Sequence, residues 1–249
     1  MIDLLPFTLL ITGTFLFAGL VKGVIGLGLP TVAMGLLGLA MRPADAAAML
    51  LMPSLVTNVW QLLAGPRIDK LLRRLWPMML GVVVGTLAGS GIIASTAGRS
   101  ATAGLGAALL LYAVIGLAKL QLRVPPALEP WLGPLVGGVT GLVTGATGMF
   151  VIPAVPYLGS LGLERDDLVQ ALGLSFTVST FALAGGLALH GTLPLAASGA
   201  SILALLPALA GMWLGGLLRA RVRPGTFRLC FFIGLLALGG ELVWRGLLS

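Results

Sequence analysis

Charge is what this sequence has least of. Only 9% of its 249 residues are Asp, Glu, Lys or Arg, against the roughly one quarter with which a soluble domain covers its surface. Lipid must cover most of the chain, which excludes a soluble enzyme or binding domain. Cysteine occurs once, as Cys230, so an internal disulfide and a cysteine metal cage are excluded. In Leu229-Cys230-Phe231-Phe232 that residue is expected to be small, apolar and buried. Histidine also occurs once: His190 stands beside Gly191 at the end of an apolar stretch, an interfacial position without partners for a metal. The eight carboxylates (Asp3, Asp45, Asp69, Glu129, Glu164, Asp166, Asp167, Glu241) all lie near the ends of apolar stretches or between them. None is placed to relay a proton through mid-membrane, and an intramembrane enzyme's acid–base pair, activated nucleophile or metal cluster is missing. No cofactor and no metal is expected. A basic n-region is missing from Met1-Ile2-Asp3-Leu4, so the first apolar stretch is expected to belong to the mature protein.

Apolar residues, by contrast, make up 58% of the chain, mean hydropathy is +1.08, and glycine occurs 37 times. The apolar runs are continuous, whereas membrane barrel strands alternate, so the class is α-helical with closely packed spans. Eight apolar units are read, at 4–40, 44–65, 75–97, 101–118, 131–163, 168–189, 195–218 and 227–243. The first and fifth are too long for one ordinary span of about 20 residues, and glycines interrupt both. The net charge of +7 resides in short loops, which predicts lipid rather than nucleic acid as the partner.

The chain repeats itself. Gly19, Leu20, Val21, Gly23 and Gly26 recur as Gly141, Leu142, Val143, Gly145 and Gly148 at a constant offset of 122. Without a gap, that offset also places Asp45 on Asp167, Leu50 on Leu172, Val56 on Val178 and Thr57 on Ser179. Two membrane repeats are therefore expected, 1–122 and 131–249, joined by a proline-containing linker at 123–130.

Loop charge then selects a topology. If each unit crosses once, the basic loop residues divide seven against seven, with no positive-inside bias. If units one and five are hairpins that return to their side of entry, Arg67, Lys70, Arg73, Arg74, Lys119, Arg123, Arg165, Arg219, Arg221, Arg223 and Arg228 share one side. Only Arg42, Arg99 and Arg245 remain on the other, a division of eleven against three. Each repeat then has an odd number of side changes and the two are inverted, with both termini outside, a plan common among secondary transporters. Whether the hairpins are re-entrant or cross fully is left open, with arms of about 15 to 18 residues at the lower edge of spanning length.

The glycines of each cluster have two readings: close helix packing, or hairpin tips whose unwound backbone and restarting helix present N–H groups to an anion. Pro30 and Pro153 follow the clusters, as suits a restarting helix. Lys22 is the only basic residue inside an apolar unit, and an intramembrane charge is a functional candidate by default; in a fully crossing hairpin it would be a solvated turn residue. Its counterpart is Thr144. Units two and six carry neutral polar side chains, Ser54, Thr57, Asn58 and Gln61 in one and Ser175, Thr177, Ser179 and Thr180 in the other. These are suited to orienting an oxyanion or to interhelical hydrogen bonds. The candidate binding set is Lys22, Gly23, Gly26, Gly28, Asn58, Thr144, Gly145, Thr147, Gly148, Ser175 and Ser179.

Gly-x-x-x-Gly-x-x-Gly, once in each half and followed by proline, resembles the repeated signature of the TauE/SafE family of membrane transport proteins. The resemblance extends to length, two-half layout, central linker and the Arg42-Pro43-Ala44-Asp45-Ala46 entry into unit two. It implies export of sulfite, sulfoacetate or a related small anion across a bacterial cytoplasmic membrane. Two departures bear on substrate: Leu29-Pro30 follows Gly28, and Met149-Phe150 follows Gly148, where the family often has a glycine run. A non-transporting scaffold or assembly subunit is the competing expectation, and a homodimer is one arrangement open to either.

Overall fold

The computed structural model describes residues 4–94, 98–118, 123–192, 195–219 and 221–248; Asp3 and Lys119 lie outside them. Every regular element among these residues is helical. The helices are α1 (Leu4–Ile25), α2 (Leu29–Leu37), α3 (Pro43–Leu63), α4 (Ile68–Ala94), α5 (Gly98–Leu117), α6 (Glu129–Thr147), α7 (Ala154–Ser160), α8 (Arg165–Leu189), α9 (Leu195–Arg219) and α10 (Pro224–Leu248), with a 3-10 turn at Pro126–Leu128. Seven are long and apolar enough to cross a membrane: α1, α3, α4, α5, α8, α9 and α10. Proline at the first positions of α3 and α6, and Asp45, Glu129, Asp166 and Asp167 in first turns, start these helices as sequence rules require.

Units one and five are both broken, but their arms are unequal instead of 15 to 18 residues each. The first has 22 and 9 residues, the second 19 and 7. Helices of 9 and 7 residues rise only about 13.5 and 10.5 Å, against a hydrocarbon core of about 30 Å. Neither α2 nor α7 can cross. The apolar residues counted into those arms at 38–40 and 148–152 are turn or irregular backbone, which composition does not distinguish from helix.

Glycine sets the packing. A Cβ on Gly19 or Gly23 would lie 3.0 Å or less from backbone atoms of Ala208, Met212 or Gly216 in α9. One on Gly141 or Gly145 would meet the backbone of α4 at Val82, Thr86 and Gly89 in the same way. Thus α1 runs along α9 and α6 along α4, while α3 packs on α8 and α5 on α10. Exchanging the halves maps this set of pairs onto itself. α3 shows the same economy at Pro53, whose missing N–H leaves the Met49 carbonyl without its helical donor; Ser201 Oγ of α9 donates to it at 2.8 Å.

The loops gather at two ends. At one, Arg67 Nη1 lies 3.0 Å from Asp167 Oδ2 and 3.3 Å from Glu164 Oε2, and Arg74 holds Glu129 through two bonds of 2.8 and 2.6 Å. At the same end Arg228 Nη2 donates to Gly116 O at 3.2 Å. At the other, Arg245 Nη1 donates to Leu39 O at 3.1 Å and pairs with Glu241, while His190 approaches Ser90. Single crossings by all eight units would put Arg67 and Glu164 on opposite faces of the bilayer, which a 3.3 Å ion pair forbids. Single cysteines replacing Lys70 or Arg221 in a Cys230→Ser background are accordingly expected to label from the cytoplasmic face only, and one replacing Arg42 from the outside only. Labelling of Lys70→Cys and Arg42→Cys from the same face would defeat this topology.

Cys230 corrects an expectation. It is exposed on α10 rather than buried, because Phe231 and Phe232 take that helix's inward face and the preceding residue is turned about 100° away.

Candidate functional site

The first hairpin turns through Gly26 and Gly28, with φ of 84° and 105°, left-handed values that favour glycine. α2 restarts at Leu29 with Pro30 in its first turn and no side-chain cap. One turn before the tip, Lys22 is only 4% exposed. Its ammonium donates to Thr57 Oγ1 at 3.1 Å and to Asn58 Oδ1. Thr57 in turn donates to Pro53 O at 2.7 Å, which holds its lone pairs toward the lysine. Lys22 is therefore enclosed between α1 and α3 and is not a solvated turn residue. Neither acceptor carries a charge, and among the described residues no ion pair links Lys22 to a carboxylate.

Further buried polar atoms on α3 and α2 have no partners. Asn58 Nδ2, Ser54 Oγ and Thr31 Oγ1 are buried and unbonded; Asn58 and Ser54 share α3, and Thr31 is in the first turn of α2. Each unsatisfied buried polar group costs on the order of 1–3 kcal/mol, so the retention of three, one of them on the Asn58 that holds Lys22, points to use. An ammonium, an amide N–H and hydroxyls are all donors, the complement of an oxyanion.

The second tip is arranged differently. Gly148 turns with φ of 73°, and Thr144 Oγ1 is within reach of Thr140 O at 2.8 Å and Met149 O at 3.0 Å. Thr147 donates to Val143 O at 2.6 Å and accepts from Met149 N at 3.3 Å. These hydroxyls bind their own tip. Gly23 and Gly145 lie in the seams with α9 and α4, where backbone rather than open space faces them. Ser175 and Ser179 are fully buried and unpartnered on α8. That helix meets α3 where Gln170 donates to Leu62 O at 2.8 Å and Gly65 O at 2.7 Å. Of the candidate set, the structure thus joins Lys22 and Asn58 at the first tip, with Thr57 as third member, and gives Ser175 and Ser179 no bond to them.

Sequence reasoning passed over Thr31, Thr86 and Thr140, all buried and unpartnered. Only Thr31 had a signal, as the residue directly after the proline that follows the first glycine cluster. Thr86 and Thr140, on the paired helices α4 and α6, look like ordinary spacers between glycines. Among the described residues no three His, Cys, Asp or Glu side chains converge on a metal-sized site.

No curated protein and no solved structure gives a match to the chain. A family model described as sulfite exporter TauE/SafE matches residues 11–242, nearly the whole helical assembly and both hairpins. The chain therefore belongs to the sulfite exporter TauE/SafE family, whose members are membrane transporters and not enzymes.

Proposed function

We propose that this protein exports a small oxyanion, sulfite, sulfoacetate or a related organosulfonate, across a bacterial cytoplasmic membrane, and that the anion binds between the first hairpin tip and α3. The observation that carries the reading is the buried Lys22 ammonium, held by neutral Thr57 and Asn58 beside the unpartnered Asn58 Nδ2. A buried ion that lacks a counter-charge is costly, and a transported anion would supply that charge transiently. Neutral acceptors leave the cation available, where a carboxylate would neutralise it for good. Gly26, Gly28 and the uncapped start of α2 place N–H groups at the same turn; Thr144, Thr147, Gly148, Ser175 and Ser179 form the second wall in this reading, with Gly145 behind them in the α4 seam.

The two repeats, 1–122 and 131–249, are inverted in this proposal. Supporting it are the pairing of α1 with α9 and of α6 with α4, and the ion pairs that bring Arg67 to Glu164 and Asp167. The arginine-rich end is then cytoplasmic. An inside-negative potential supplies about 2.3 kcal/mol per exported charge per 100 mV, so outward movement of an anion needs no proton relay.

Purified protein in liposomes tests the reading directly. Sulfite and sulfoacetate loaded inside are expected to leave faster than from protein-free vesicles, and faster still when the potential opposes their retention. Equal efflux from both vesicle types for both anions would favour the scaffold.

A further inference from the structure

A cleft of about 910 Å3 opens at the arginine-rich end, between the first hairpin tip, α5, the linker, α7 and α10. Ile25 and Leu27 of the tip are among its lining residues, just beyond Lys22 in the chain. Among the described residues two of those lining it are charged, Arg123 and Arg228, and none is a carboxylate. Arg228 is fixed in place: it donates to Gly116 O, and its guanidinium carbon lies 5.5 Å from the centre of the Phe232 ring.

An aromatic cluster lines the cleft alongside the tip. Tyr112 of α5 meets Phe231 and Phe232 of α10 edge-on, with ring centres 6.5 and 5.3 Å apart, and the two phenylalanines are 5.1 Å apart. Phe231 lines the cleft and also covers the turn: a Cβ on Gly28 would lie 3.4 Å from its Cζ. The other tip has no such access, since Met149, Phe150 and Val151 are completely buried.

We infer that this cleft is the vestibule through which the anion reaches the Lys22–Asn58 site, with Arg123 and Arg228 drawing it in and Phe231 gating the last step. The inference rests on the function proposed above. Its chemistry is that of a low-dielectric wall bearing charge of one sign, which focuses the field and concentrates counter-ions. Tyr112, Phe231 and Phe232 line the passage, and an aromatic edge, being weakly positive, tolerates an oxyanion better than a ring face does. The gate makes size a criterion: compact sulfite needs less displacement of the Phe231 ring than sulfoacetate.

The test separates this inference from the function. A cysteine replacing Gly159, a cleft residue whose added Cβ meets nothing within 4 Å, is placed in a Cys230→Ser background. Anionic and cationic methanethiosulfonates of similar size are then compared in inside-out vesicles. The anionic reagent is expected to react at least about tenfold faster after correction for intrinsic reactivity. Arg228→Gln with Arg123→Gln should remove that preference, and sulfoacetate should slow the reaction. Equal rates in the arginine-containing protein would overturn the vestibule, whether or not the liposomes carry anion. For the gate, Phe231→Trp is expected to depress sulfoacetate flux more than sulfite flux, and Phe231→Ala to reverse the order. An unchanged flux ratio in Phe231→Ala, measured on monodisperse protein, would overturn the gate while leaving the Lys22 site standing. Vesicles that carry neither anion yet keep the reagent preference would instead sink the transport reading.

Discussion

Lys22→Gln raises the sulfite concentration for half-maximal flux by about thirtyfold or more, with the amount of folded protein near that of the wild type. Removing one partner of a fully desolvated charge interaction costs on the order of 2–5 kcal/mol, and about 2 kcal/mol corresponds to that ratio. Fold is spared because glutamine keeps much of the length and polarity, and its amide N–H is a donor suited to the acceptors Thr57 Oγ1 and Asn58 Oδ1 that the ammonium now occupies. An uncharged side chain in this buried position even relieves a desolvation cost. Detergent melting should therefore be equal or slightly higher while affinity falls. A half-saturation concentration equal to that of the wild type would move the anion away from Lys22. A loss of folded protein would instead make the lysine a structural clamp on α3.

Gly145→Leu has the larger effect on the protein itself. The sequence allows two outcomes: a leucine at a hairpin tip blocks the anion and leaves the fold, whereas a leucine in a helix seam forces the helices apart. The structure favours the second, because a mere Cβ at 145 already lies under 3.0 Å from Thr86 O, Gly89 C and Ser90 N. Backbone cannot rotate away as a side chain can. Overpacking costs typically about 1–3 kcal/mol and occasionally more, and a rigid seam belongs at the upper end. Monodisperse protein is expected to fall to a small fraction of the wild-type yield. Gly138→Leu on the same helix is the control, since a Cβ there meets nothing within 4 Å. Wild-type yield and melting for Gly145→Leu, coupled with lost flux, would return that residue to the anion path.

Those two residues also show what a sequence can and cannot convey here. The helical class, the two interrupted units and the isolated lysine all follow from hydropathy and charge, which the bilayer enforces on every residue it touches. Asn58 stood out as well, as an amide in an apolar run that needs company, but nothing in the sequence paired it with Lys22. The glycines were not resolvable, because Gly-x-x-x-Gly satisfies a helix seam and a tight turn equally well. Only φ and the neighbouring backbone separate Gly23 and Gly145, in seams, from Gly26, Gly28 and Gly148, in turns. The short arms were hidden for a related reason. Residues 148–152 are as apolar as any helix, and what stops them is the tip's own geometry, with Thr144 and Thr147 bonding across it. Cys230 was misplaced because four apolar neighbours in a row carry no phase; α10 buries only two of them.

The seam between α5 and α10 has a consequence for motion. Gly106 lies against Gly239 and Val243, and Gly246 against Ala103, so these two helices, one from each half of the chain, are joined at the backbone. α1 with α9 and α6 with α4 are likewise joined across the halves. A transporter that worked by tilting its first half against its second would have to unzip all three. In the vestibule reading the leaf of the door is instead a pair of helices, one from each half of the chain. Tyr112, Phe231, Phe232 and Arg228 all ride on that leaf, so one swing of α5 with α10 would carry latch and lure away from Gly28 together.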